Sequence, residues 1–123
     1  MGYKINVESY FSGAHRLRGY KGKCESLHGH NWKVEVALSA KKLDKIGMVI
    51  DFTKAKSILM DILSTLDHKY INQVAYFKKH NPTSEIIAEF IYKKYSQKLK
   101  DQARIESVSV WETPTSCATY SKD

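Results

Sequence analysis

With 123 residues, 42% of them hydrophobic and 27% charged, the chain is long enough to bury roughly two thirds of its unfolded surface in one core without covalent staples. It shows no secretory h-region and no apolar run near the roughly 20 residues that cross a bilayer, so the expectation is one cytoplasmic domain over 1–123 with no membrane role. Lys and Arg outnumber Asp and Glu by 20 to 13, and the net charge of +7 invites an anionic partner, but only Arg16, Arg18 and Arg104 carry the guanidinium preferred for guanine edges, which argues against nucleic acid.

Residues 3–14 place Tyr3, Ile5, Val7, Ser9, Phe11 and Gly13 on one parity, the pattern of a first strand with His15 near its end. Glycines and charges across 18–23 read as a mobile connection. Across it and just before it, Arg16, Arg18, Lys21 and Lys23 cluster where a phosphate on a substrate could be met. Cys24-Glu25-Ser26-Leu27-His28-Gly29-His30 follows, one thiol and two imidazoles leading into a second strand over about 30–40, where Trp32, Val34, Val36 and Leu38 alternate with Lys33, Glu35 and Ala37. Alternate residues of a strand share a face, so His28 and His30 can stand side by side, with Gly29 leaving the backbone between them uncrowded. A hairpin would add His15 as the third protein ligand that a catalytic zinc requires. Cys24 is then either a fourth ligand, closing the site into a structural one, or a base held off the metal; spacing leaves both open. An isolated H-x-H is usually two surface imidazoles. Here three of the five histidines fall on two adjacent strands.

Residues 41–47 form a polar turn, and Asp51 or Thr53 caps a helix whose Ile58, Leu59, Ile62, Leu63 and Leu66 recur at three- and four-residue steps. It stops near Asp67-His68. Such a pair is commonly no more than a cation near a helix C-terminus, yet beside a thiol a carboxylate orienting an imidazole is a usual way to activate a base. Residues 71–80 read as a loop. Asn81-Pro82-Thr83-Ser84-Glu85 opens a second helix, with Asn81 or Thr83 as cap and Ile87, Phe90, Ile91, Tyr95 and Leu99 on its buried face. Residues 104–111 and 118–120 are expected as strands three and four around a turn at Thr113-Pro114-Thr115-Ser116, with Cys117 a small strand residue without chemistry. The order strand, strand, helix, helix, strand, strand gives an α+β class, a four-stranded antiparallel sheet covered on one face by two helices. Its open edges would be satisfied by pairing between subunits into a closed oligomer.

His15, Cys24-x-x-x-His28-Gly29-His30, Asp67-His68, Asn81-Pro82-Thr83-Ser84-Glu85 and Glu112-Thr113, in this order, resemble the 6-pyruvoyl-tetrahydropterin synthase superfamily over nearly the whole chain. The three-residue spacer between Cys24 and His28 is similar to its 6-carboxytetrahydropterin synthase branch, which serves queuosine and related deazapurine pathways; pyruvoyl-forming members typically have a longer one. The resemblance implies the tunnelling fold, with three subunits closing a barrel and two trimers stacking into a homohexamer. It implies Zn2+ held by His15, His28 and His30, Cys24 as general base sustained by Asp67 and His68 of the same or a neighbouring subunit, and Glu112, Thr83 and Ser84 holding a pterin ring. Each of the last three has a plainer reading, Glu112 as a strand-end charge and Thr83 and Ser84 as helix caps.

The function so implied is a zinc-dependent lyase that converts 7,8-dihydroneopterin triphosphate to 6-carboxy-5,6,7,8-tetrahydropterin with release of acetaldehyde and triphosphate. The partner would be that small pterin triphosphate, with neither nucleic acid nor membrane. The first alternative is the pyruvoyl-forming reaction, which eliminates triphosphate without breaking the carbon chain. A more distant one is a basic nucleic-acid-binding module with a structural zinc, whose affinity would fall steeply with salt.

Overall fold

In the computed structural model, which describes residues 2–21, 26–99 and 103–122, two 13-residue strands set the frame. β1 (Tyr3–His15) and β2 (His28–Ala40) pair antiparallel from Tyr3 opposite Ala40 to His15 opposite His28 without a slip. There follow α1 (Phe52–Leu63), β3 (Lys69–Tyr70), a 3-10 turn (Ile71–Gln73), α2 (Ala75–Lys79), α3 (Ser84–Lys98), β4 (Arg104–Thr113) and β5 (Ser116–Tyr120). The α+β class stands, and the sheet order is β3-β1-β2-β4-β5.

The expected four-stranded antiparallel sheet is corrected in one respect: it has a fifth strand, β3, which runs parallel to β1 through Gly13 with Lys69 and Ala14 with Tyr70. Two residues are too few to show a period-2 pattern. β3 is held instead by what precedes it, since the Asp67 carboxylate accepts from the Ser12 N–H at 2.9 Å and the His68 N–H donates to the Ser12 carbonyl. The expected loop over 71–80 is also corrected, because it contains the 3-10 turn and α2, which bury Ile71 and Phe77. A five-residue helix offers too little length for a 3.6-residue period to appear.

One sheet face carries Val7, Phe11, Trp32, Val34, Val36, Leu38, Val108 and Val110, all buried under α1 and α3. At roughly 1.5–3 kcal/mol for each large apolar side chain buried, this layer is the main source of stability. Asp51 caps α1 by accepting from Thr53 N at 2.8 Å, and Thr83 caps α3 by accepting from Ile86 N at 3.1 Å. Tyr95 of α3 donates its hydroxyl to the Ala55 carbonyl of α1 at 2.8 Å, and burial pushes its pKa up to about 12. In β4 a bulge lets Leu38 oppose Ile105 directly after Ala37 opposes Ser107, so Ile105 and Val108 both reach the core from opposite parity. The other sheet face presents Glu8, Tyr10, Lys33, Glu35 and Ser109. No helix of the described residues is long and apolar enough to cross a membrane.

A candidate metal centre and its neighbours

The core-facing parity of β1 and β2 turns from apolar to imidazole at one end of the hairpin. Phe11 and Gly13 give way to His15, and Trp32 is preceded on its own face by His30 and His28. β4 does the same after its bulge, where Val108 and Val110 lead to Glu112. The layer that makes the core therefore ends in three histidines and a carboxylate, one ligand atom of each lying within 4.8 Å of the others.

Carbonyl partners fix which ring nitrogens face inward. His15 Nδ1 lies 2.7 Å from the Pro82 carbonyl and His28 Nδ1 lies 2.8 Å from that of Ser26. A carbonyl only accepts, so each Nδ1 carries a proton, and in the neutral ring each Nε2 offers a lone pair. Those two Nε2 atoms stand 3.0 Å apart. Two facing lone pairs repel unless a cation or a shared proton sits between them. His30 Nε2 is buried, 3.2 Å from Glu112 Oε2, and finds no well-directed hydrogen bond. Burial, with a smaller effect from His28, lowers the His15 pKa against the opposing pull of the Pro82 carbonyl, which favours the neutral ring a metal requires. Trp32, fully buried, lies under the cluster with ring centroids 4.9 Å from His15 and 5.2 Å from His30, and its indole N–H donates to the Gly13 carbonyl at 3.1 Å. Imidazoles backed by carbonyls, together with a carboxylate, are a donor set able to hold a metal ion.

The remaining expected residues fall in two places. Ser84 donates its hydroxyl to Glu112 Oε1 at 3.2 Å, so it touches the cluster through the carboxylate, whereas the Thr83 oxygen caps α3. Asp67 and His68 sit at the sheet edge, with His68 Nδ1 3.0 Å from Asp67 Oδ1. The Ser12 N–H above all, with His68 adding, holds the Asp67 carboxyl below the usual carboxylate range. His68 has φ of +57°, the left-handed region, and its side chain is 81% exposed. It shares an open groove of about 520 Å³ with His30, Gly13, Asn31 and Tyr70. Cys24, the expected base, lies outside the described residues, as does Lys23. Cys117 carries a free, exposed thiol.

The expected mobile connection is corrected at its first residue, Arg18, which is held along with Arg16 before it. Asn72 Oδ1 accepts from Arg16 N at 3.0 Å while its amide donates to Arg16 O at 2.9 Å, and Asn81 grips Arg18 N and O in the same way at 2.9 and 3.0 Å. The Arg18 guanidinium donates to the carbonyls of Phe77 and His80, which removes it from the phosphate-binding cluster suggested above. Arg16 remains exposed. Sequence reasoning missed Asn72, the Pro82 carbonyl and the Ser12 amide, because backbone partners and amide pairings leave no periodic signal.

Residues 4–123 match the family described as 6-pyruvoyl tetrahydropterin synthase. The 6-carboxy-5,6,7,8-tetrahydropterin synthase of Haemophilus influenzae is 36% identical, covering 96% of this chain and 98% of that protein. The Synechocystis protein of the same name is 36% identical over 94% and 91% of the two chains. A putative 6-pyruvoyl tetrahydrobiopterin synthase of Caenorhabditis elegans is 32% identical over 89% and 88%. Among solved structures, the 6-pyruvoyl tetrahydropterin synthase of Caenorhabditis elegans superposes with a TM-score of 0.87 at 27% identity, covering 100% of this chain and 97% of that one.

Proposed function

Because the chain belongs to the 6-pyruvoyl tetrahydropterin synthase family, we propose that it is a zinc-dependent carbon-carbon lyase, a 6-carboxytetrahydropterin synthase. It would convert 7,8-dihydroneopterin triphosphate and one water to 6-carboxy-5,6,7,8-tetrahydropterin, acetaldehyde and triphosphate, in a homohexamer supplying 7-deazapurine (queuosine) synthesis. The observation that carries the reading is the convergence of His15, His28 and His30 with Glu112, in a chain 36% identical to a protein named for that product.

Three imidazoles, two of them with Nδ1 tied to a carbonyl, with a carboxylate alongside, fit zinc, and two nitrogens bound at about 2.0–2.1 Å would stand roughly 3.3 Å apart, close to the 3.0 Å between His15 and His28. Zinc bound there supplies Lewis acidity to the substrate's side-chain oxygens. The chain's own residues do the rest. Glu112, oriented by Ser84 on one oxygen, accepts from the guanidine-like N–H edge of the pterin. Thr83 keeps its hydroxyl proton free for the ring while its oxygen caps α3. Cys24 moves protons on the side chain. Asp67 orients His68, and the imidazole holds that thiol in its reactive state. The 81% exposure of His68 favours action on the Cys24 of a neighbouring copy.

The experiment is product analysis by mass spectrometry after incubating the zinc-loaded protein with dihydroneopterin triphosphate. A carboxylated tetrahydropterin with acetaldehyde, absent from a Cys24→Ala control, is the expected result. The second reading, pyruvoyl formation, draws on the 32% identical Caenorhabditis elegans relative, and a pyruvoyl product would establish it in place of the first.

A further inference from the structure

A side-chain carboxamide aligned with a peptide group can donate to its C=O and accept from its N–H at once, as a neighbouring strand would. Asn72 does this to Arg16 and Asn81 to Arg18, residues two apart, so the same edge of the chain is gripped twice. β1 pairs with β3 only at Gly13 and Ala14, and the two asparagines continue that edge past His15 with side chains. Asn72 is buried and both its amide atoms are bonded.

Asn81 is covalently joined to the next contact. Proline fixes its own φ and restricts the residue before it, so Asn81-Pro82 is a stiff unit. Where the Asn81 carboxamide seats on Arg18, the Pro82 carbonyl one residue later lies 2.7 Å from His15 Nδ1. Arg18 returns the grip through its guanidinium to the carbonyls of Phe77 and His80, at 2.7 and 3.0 Å. Thr83 and Ser84 follow directly, one capping α3 and the other meeting Glu112.

We propose that Asn81, supported by Asn72, is a positioning residue for the metal centre: by locking the Arg18 backbone it sets the Pro82 carbonyl that holds His15 in its Nδ1–H tautomer. The inference rests on the metal-binding part of the function proposed above and is independent of the pterin chemistry. A carbonyl or carboxylate behind a metal-bound imidazole fixes both ring orientation and tautomer, and losing one typically weakens metal affinity about 10–100-fold.

The test measures zinc affinity of the full chain by competition with a chromophoric chelator, alongside the melting temperature of the metal-free protein. Asn81→Ala is expected to weaken zinc binding about 10–100-fold with its secondary structure retained. Leu99→Ala, at the far end of α3 and about 20 Å along the helix, serves as a destabilising control and is expected to lower the melting temperature with zinc affinity unchanged. Wild-type zinc affinity in Asn81→Ala, or equal weakening in Leu99→Ala, would overturn the proposal. Should Asn81→Ala not fold, Asn81→Asp decides: it keeps the acceptor for Arg18 N and loses the donor to Arg18 O, and here too wild-type affinity overturns the assignment. A wild-type chain that binds zinc but forms no carboxylated pterin would remove the proposed reaction and leave this inference standing.

Discussion

The histidine cluster and the Asp67-His68 pair are both built on β1, yet they are opposite in construction. His15 is 1% exposed, wedged over Trp32 and tied to Pro82, while the His68 side chain is 81% exposed and, among the described residues, is tied at the Asp67 carboxylate and at its own backbone N–H. Among the described residues, the three histidines and Glu112 converge within one chain. The pair is held firmly at its root and left open at its tip. Burial thus organises the part that could hold a cation, and exposure leaves the other part open to solvent.

That contrast should separate the two regions by metal content. His28→Ala removes one of the two facing nitrogens and is expected to lose both zinc and activity, the latter by roughly 10³-fold, which corresponds to several kcal/mol of charge stabilisation. Asp67→Asn should keep full zinc, measured by metal analysis of the purified protein, while turnover falls roughly 10²–10⁴-fold. Loss of zinc in Asp67→Asn would erase the distinction.

Mixing sharpens it. If His68 serves a neighbouring copy, co-refolded His28→Ala and Asp67→Asn chains regain turnover, because one class of site then combines an intact cluster with an intact pair. Each parent alone should keep no more than about a hundredth of wild-type activity. A mixture no more active than its parents would place cluster and pair in the same subunit's service.

The difference between the regions also explains what the sequence could reveal. His15, His28 and His30 were legible because strand periodicity carries side chains to a common face, and the long hairpin obeys that period from Tyr3 to His15. Glu112 sits where the parity of Val108 and Val110 puts it, although the bulge that reconciles Ile105 with them left no mark in the residue pattern. β3 was invisible, since its pairing depends on Asp67 and His68 meeting the Ser12 backbone across 55 intervening positions or so. In the sequence Arg18 reads as part of a basic cluster facing a substrate phosphate. Its role emerged only when α2, itself too short to announce, placed the Phe77 and His80 carbonyls within its reach.

Acid should act on the exposed pair in a definite direction. The Ser12 N–H, with His68, lowers the Asp67 pKa in the folded chain, so its contribution is present above the ordinary carboxylate value and is lost as pH falls through the folded one. In metal-free protein, the melting-temperature gap between wild type and Asp67→Asn should hold steady near neutrality and close below about pH 4. A gap that widened on acidification would mean that the carboxylate is not the stabilising form.

The smallest expected effects lie where the two regions meet. Gly13 pairs with His30 on one side and Lys69 on the other, and a Cβ there would come 3.1 Å from Ile71 Cδ1 and 3.3 Å from the Leu66 carbonyl. Ile71 is fully buried and the carbonyl is backbone, so neither yields freely, and Gly13→Ala should cost about 1–3 kcal/mol by thermal or denaturant unfolding. Gly29, between the two ligands of β2, meets nothing closer than the Gly13 carbonyl at 3.9 Å, so the chain itself does not demand glycine there. Gly29→Ala should be neutral or stabilising by about 0.4–1 kcal/mol, through the smaller entropy of its unfolded chain. Both residues border the groove shared by His30 and His68. If Gly29→Ala proved as costly as Gly13→Ala, the groove would have to be filled in the assembled protein by a surface that the isolated chain does not provide, and the openness of the Asp67-His68 pair would then belong to the single chain alone.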